Sequence, residues 1–387
     1  MKGAELLQRA EKLTPDLAAR SGDTAARRSL LPENLAALEE AGFFRCLLPV
    51  RWGGFETDPE DFFTIVQTIG AACPSTGWVL SVVGVHNWQL ALFPLEAQQE
   101  VREGTGKNLI ASSYMPVGKV KAAPGGFRLS GTWGFSSGID HCGWVFLGAM
   151  VPAEGGRRDL RTFLVPRGDI TIVDDWQVTG LEGTGSKTVV VEDRFVPEHR
   201  THRFRDGFMQ DSPGNEINPG LLYRIPFGQM FIRAVTSGGL GMLAGALDAF
   251  LDVQRSRVAR SLGQAVATKP PVQLAAARAA LTLRQLRLGL REQFTRMRAE
   301  LQAGRPLSMD DRVLWRYEAA TVTPRCTAAV DELFKASGGS ALFHTNPISR
   351  YFNDIHAAGA HYANNPWDPG CNLGRTLLGQ DNEDHFI

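Results

Sequence analysis

The sequence has no CxxC pair, and its cysteines are few and odd in number: five, at positions 46, 73, 142, 326 and 371. That scatter excludes a thiolate zinc site and a disulfide framework, and it points to a reducing compartment, the cytoplasm. Charge of one sign is also missing. Lys and Arg together number 41, as do Asp and Glu, so no overall field would draw the chain to nucleic acid or a membrane surface. No clean apolar run is long enough to span a bilayer. The longest, residues 77–94, is interrupted by His86, Asn87 and Gln89 and reads as a buried helix. The opening "MKGAELLQRAEKLTPDLAAR" lacks the apolar core of a signal peptide. GxSxG, P-loop and HExxH signatures are absent, as are internal repeats and low-complexity tracts, and no metal site is expected.

What is present is a globular composition, 43% hydrophobic and 21% charged over 387 residues, which is more chain than one core holds. The hydrophobic period changes twice. Residues 1–107 read as an N-terminal helical domain, with apolar residues at helical spacing in "LPENLAALEEAGFFRCLLP" and "STGWVLSVVGVHNWQLAL". From residue 108, short alternating segments separated by Gly and Pro predict an antiparallel β domain to residue 222. Its last part, 204–222, has no period and reads as a long loop, of a length that in compact proteins is often functional. Residues 223–387 return to helical spacing and predict a four-helix bundle, with one helix bent or broken at Pro324 and stopped by Gly338–Gly339. The fold class is therefore α+β: helices, a central sheet, then a bundle.

Few motifs carry chemistry on their own. Gly239, Gly241 and Ala244 satisfy GxGxxA, but a helical segment precedes them and Asp252 follows too soon for a dinucleotide fingerprint. Close helix packing is the better reading. His356 and His361 are five apart and diverge by roughly 140° on a helix, so they cannot share a metal. Asp354 and His361, seven apart, would share a helix face. From pattern alone His361 fits a capped core histidine as well as a functional one, and His86, within an apolar helix, fits a satisfied core histidine. Two paired hydroxyls, Ser112–Ser113 and Ser136–Ser137, lie on predicted strands, where adjacent side chains face opposite sides. In "SGTWGFSSGIDHCGWVFLGAM" the second pair is followed by Gly138, which allows close backbone approach.

Four stretches together, "EEAGFFRCLLPVRWGG", "LSGTWGFSSG", "GLEGTGSKTVVVEDRFVPEHR" and "KASGGSALF", resemble the acyl-CoA dehydrogenase fold over residues 25–378. Within it, "CPSTGWVLSVVGVHNWQLALF", "GTWGFSSGIDHCGWVFLGA" and "DIHAAGAH" resemble the flavin-dependent group D monooxygenases, the oxygenase components that include p-hydroxyphenylacetate, secosteroid phenol and aromatic polyketide hydroxylases. Acyl-CoA dehydrogenases typically place a glutamate base after the paired glycines. Here no glutamate occurs from Leu333 to Asn382, and "NDIHAAGAH" stands in its place.

The resemblance implies a two-component enzyme. A separate NAD(P)H-flavin reductase would deliver reduced FMN or FAD, and oxygen would add at flavin C4a to give a hydroperoxide that hydroxylates a phenolic or polyketide-like aromatic substrate. Ser137 would hold flavin N5, with Ser136 one residue away as the alternative. His361 would act near C4a. His86 and Ser112 would contact the substrate's phenolic hydroxyl, with Ser113 the alternative to Ser112. Trp133 and Phe135 would pack on the isoalloxazine. Arg257 or Arg260, with Gly338 and Gly339, match segments that reach a neighbouring subunit's flavin phosphate in tetrameric relatives, which implies a homotetramer. An N- or S-oxygenase of the same fold and an acyl-CoA dehydrogenase are the rival readings.

Overall fold

The computed structural model describes residues 3–104, 106–152, 158–257 and 265–387. Six helices come first: α1 (Gly3–Ala19), α2 (Ser21–Arg27), α3 (Pro32–Glu40), α4 (Pro59–Ala72), α5 (Pro74–Leu90) and α6 (Leu95–Glu103). Proline sits at the first position of α3, α4 and α5, where its missing N–H has no partner to lose. Almost every residue of α5 is buried, because α4, the sheet and the later helix α8 (Phe227–Ser256) cover it on different sides. That is why its sequence shows no amphipathic stripe.

The sheet holds β1 (Ile110–Ala123), β2 (Gly126–Ser136), β3 (Trp144–Pro152), β4 (Arg158–Pro166), β5 (Thr171–Val173), β6 (Lys187–Pro197) and β7 (Thr201–Arg203), in the order β5-β6-β2-β1-β3-β4-β7. The expected antiparallel sheet is in fact mixed. β1 pairs antiparallel with β2 through its far end, Lys119 to Ala123, but parallel with β3 through Ile110 to Ser113. After two reversals the chain runs again in the direction of β1. The outer edge of β2 is taken by β6, so β3 docks on the free edge of β1. The "IDH" between β2 and β3 forms a tight turn, Ile139–His141. Asp140 there pairs with Lys187 at 2.9 Å, so this part of the motif is structural.

The segment expected as a 204–222 loop is largely ordered turns: α7 (Phe204–Met209), then 3₁₀ turns at Pro213–Asn215 and Leu221–Arg224. Its aromatic residues give it apolar surface to bury, which a solvated loop lacks. The bundle follows as α8 (Phe227–Ser256), α9 (Pro270–Gln302), α10 (Met309–Ser337) and α11 (Pro347–Gly359), with α12 (Trp367–Leu377) beyond it. α10 is not broken at Pro324 but continues through it; packing against α8, α9 and α11 outweighs the lost backbone bond. α8 is long and apolar enough to cross a membrane, yet it is the bundle's buried core helix. Its "GGLGMLA" is a packing surface: a Cβ on Gly241 would stand 2.7 Å from the Gln67 carbonyl oxygen of α4.

Candidate active site

A cavity of about 1670 Å³ opens between the sheet and the bundle. Single-ligand pockets run to about 1000 Å³, so this one has room for two molecules side by side. β1 and the end of β2 supply Ser112, Ser113, Tyr114, Phe135 and Ser137; α5 supplies Trp78 and Val82. The bundle side supplies Phe231, Ala357, His361 and Tyr362, while α7 and the tail add Phe204, Phe208, Met209, Asp384, His385 and Phe386. The segment read from sequence as a long loop, 204–222, thus reaches the cavity through α7, and the tail reaches it too.

A bulge decides which side chains of β2 face it. Pairing with β6 shifts register between Trp133 and Ser136, and Phe135 has a left-handed φ of 63°, costly for a side chain of its size. The shift breaks the alternation once. Phe135 and Ser137 turn to the cavity, whereas Trp133 and Ser136 point into the core, both 0% exposed. Trp133 donates its indole N–H to the carbonyls of Met115 and Gly148, at 3.1 and 2.9 Å. This corrects two expectations: Trp133 is not placed to pack on a ring in the cavity, and Ser136 is not an alternative to Ser137. Phe135 instead meets Trp176 edge to face at 6.0 Å. At Gly138, φ is 71° and a Cβ would come within 2.8 Å of Val79, so the turn requires glycine.

His361 lies on the cavity wall, but not as a helix-face partner of Asp354. α11 ends at Gly359, and His361 caps the following turn, its Nδ1 accepting from the Ala363 N–H at 3.2 Å. A backbone N–H can only donate, so Nε2 of the neutral ring carries the proton. Burial, and then the charge of Arg316, push its pKa down to about 4, which keeps the imidazole neutral. Asp354 points elsewhere: its carboxylate accepts from the Leu181 N–H at 2.5 Å.

Ser112 and Ser113 both reach the cavity. His86 does not. It is 0% exposed, donates from Nδ1 to the Ile110 carbonyl at 2.6 Å, and stands edge to face with Tyr114 and Phe146. Its Nε2 has no partner, and burial pushes its pKa down to about 4. Tyr114 lines the cavity, bonds Gln89 and meets the imidazole edge to face at 6.2 Å, so of the expected pair Ser112 reaches the cavity and His86 lies behind its lining. Arg257 and the Gly338–Gly339 turn are close together and do not line the cavity, Arg257 donating to the Ser337 carbonyl at 2.5 Å. Arg260 lies outside the described residues. Sequence reasoning missed Trp78, Tyr114, Trp176, Thr184 and Ser186. Thr184 and Ser186 sit in "GLEGTGSKTVV", which signals the fold but not the direction of its hydroxyls.

A sheet between two helical layers, with a two-ligand cavity at their junction, defines a protein of acyl-CoA dehydrogenase fold. The acyl-CoA dehydrogenase N-terminal and C-terminal domain models match residues 7–101 and 235–366. The chain is 39% identical to the flavin-dependent monooxygenase oxygenase subunit HsaA of Rhodococcus jostii, over 93% of this chain and 94% of that one. It is 35% identical to the oxygenase component of the FADH2-dependent resorcinol hydroxylase of a Rhizobium species, over 92% and 90%. The crystal structure of 3-HSA hydroxylase from Rhodococcus sp. RHA1 superposes with a TM-score of 0.94 at 36% identity, covering 99% of both chains. The chain belongs to the oxygenase subunits of the flavin-dependent monooxygenases built on this fold.

Proposed function

We propose that the chain uses reduced flavin and oxygen to hydroxylate a phenolic aromatic substrate, with the flavin supplied by a separate NAD(P)H-dependent reductase. The observation that carries this is a cavity sized for two molecules, with the Ser137 hydroxyl on its sheet wall and the neutral His361 imidazole on its bundle wall. The residues present fit a flavin. Ser137 offers an oxygen to a ring N–H, Phe135 and Trp176 give apolar contact, and Gly138 lets the chain turn tightly beside Ser137. Bound reduced flavin would supply the electrons that activate oxygen. The protein's part is to hold the N5 proton through Ser137, offer the His361 Nε2–H as a donor, and keep water out.

The other half of the cavity supports an aromatic substrate. Phe386 stacks on Phe204 at 5.3 Å and meets Phe231 at 5.6 Å, and Tyr114 meets Phe231 edge to face at 5.0 Å. These faces suit a planar, mostly apolar ring, and Ser112 or Ser113 would bond its hydroxyl. His86 would serve as base only if Tyr114 moves. Among the described residues no glutamate lines the cavity, and its carboxylates Asp159 and Asp384 are paired with arginines, which disfavours an acyl-CoA dehydrogenase. We further assign a homotetramer and a cytoplasmic location. α9 carries a stripe of half-exposed leucines seven residues apart, Leu274, Leu281 and Leu288, and the cysteines are all free thiols.

The test mixes protein with anaerobically reduced FMN or FAD, then with oxygenated buffer containing simple phenols. Hydroxylated phenol should appear with little hydrogen peroxide. Peroxide alone with every phenol, or oxidation of an acyl-CoA with a dye acceptor, would overturn the reading.

A further inference from the structure

Beside the cavity, one chain of hydrogen bonds has both ends fixed. The Trp78 indole N–H donates to Ser137 Oγ at 3.2 Å. Ser137 Oγ lies 2.7 Å from Ser186 Oγ, which lies 2.7 Å from Thr184 Oγ1. Thr184 Oγ1 then donates to the Leu181 carbonyl at 2.8 Å. An indole nitrogen can only donate and a carbonyl oxygen can only accept. The three hydroxyls between them hold one hydrogen each, so a single arrangement makes every link: each donates away from Trp78 and toward Leu181. Ser137 then has its hydrogen committed to Ser186 and shows the cavity a lone pair.

We propose that Thr184 and Ser186 are positioning residues that set the site's preference for the redox state of flavin. The inference rests on the flavin reading above. Reduced flavin carries an N–H at N5, which a lone pair on Ser137 accepts. Oxidised flavin carries a lone pair there, and two lone pairs repel. For Ser137 to donate instead, one link is lost: either Ser137 turns alone and its bond to Ser186 breaks, or all three hydroxyls turn and the Thr184–Leu181 bond breaks. Water cannot replace it readily, since Thr184 is 1% and Ser186 5% exposed. The direction of the chain therefore favours capture of the form a reductase delivers and release of the form left after turnover. Nothing in the residue types alone shows this; it follows from a donor-only group at one end and an acceptor-only group at the other.

The test is a pair of dissociation constants for each protein, for oxidised and for anaerobically reduced FMN and FAD, measured by titration without oxygen or substrate. The wild type should bind the reduced form more tightly. Thr184→Val keeps the shape but removes the anchor at the Leu181 end, and Ser186→Ala removes the acceptor of the Ser137 hydrogen. Each should lower the ratio of oxidised to reduced dissociation constants about two- to tenfold, the factor one neutral hydrogen bond is worth, chiefly through tighter binding of the oxidised form. Thr184→Ser retains the hydroxyl and should retain the ratio. Either disruptive variant decides the matter alone. A wild-type preference left unchanged by the variant that folds overturns the relay and leaves the flavin site standing. Wild-type protein that binds neither flavin overturns both.

Discussion

Ser136 is fully buried with its hydroxyl unpaired, while Ser137, next in the chain, lines the cavity and makes hydrogen bonds with Trp78 and Ser186. The two substitutions should therefore behave differently. Ser137→Ala is expected to raise hydrogen peroxide relative to hydroxylated product about two- to tenfold, because one hydrogen bond of roughly 0.5–1.5 kcal/mol is lost where flavin would sit. Ser136→Ala removes a buried hydroxyl that bonds nothing, so coupling should be unchanged and the melting temperature equal or higher. Parallel assays of product and peroxide check both; equal coupling in the two variants would remove Ser137 from the site. His361→Asn bears on the bundle wall. If the Nε2–H serves the reaction, product falls and peroxide rises at nearly unchanged stability. If the ring only caps its turn through the Ala363 bond, the melting temperature falls and the product-to-peroxide ratio stays as in wild type.

Between elements, Asp354 joins α11 to the turn before β6. Its carboxyl is 5% exposed, and burial pushes its pKa up to about 7, partly offset by the Leu181 N–H. The native state thus keeps a proton that the unfolded chain, with an ordinary value near 3.8, has already given up. The stability this group contributes is complete below the unfolded value and is lost as pH rises through the folded one. Asn cannot ionise and can still accept from Leu181. Asp354→Asn should therefore gain on wild type as pH rises from 5 to 7, by on the order of 1 kcal/mol per pH unit. Melting temperatures of both proteins across that range check it; a constant difference would mean that the carboxyl titrates normally. β2 offers the contrasting case of an element whose function depends on a defect. Its bulge, with Phe135 held at positive φ, moves Trp133 into the core and brings Phe135 and Ser137 to the cavity. An unbroken strand would have put all three on one face.

For the whole molecule, the cavity is closed by parts distant in sequence: α5, the sheet, α7, the bundle and the tail. Ile387 at the end of that tail is 0% exposed, and Arg312 donates to its carbonyl at 2.7 Å. The stripe of leucines on α9 faces outward and is the surface expected to pack against other copies. Leu281→Glu combined with Leu288→Glu should reduce the sedimenting mass while leaving the circular dichroism of the subunit intact, since both side chains are about half exposed. A fully active species of monomer mass in the wild type would instead detach the flavin site from any neighbouring subunit.

Much of this was legible in the residues. The change from a helical to a strand period and back marks the three layers, because periodicity reports which face of each element is buried. The absence of glutamate from Leu333 to Asn382 favours oxygen chemistry over dehydrogenation, and the family motifs mark Ser137 and His361. Other features depended on contacts between segments far apart in the chain. The parallel β1–β3 pair follows from which strand edge was free. The placement of Trp133 follows from a bulge that no residue type announces. Tyr114 meets His86 because β1 lies against α5, and Asp354 and His361 share no helix face because α11 stops two residues before His361. The direction of the Ser137 hydroxyl is of the same kind: local sequence supplies its hydrogen, but a tryptophan on α5 and a backbone carbonyl before β6 decide where that hydrogen points.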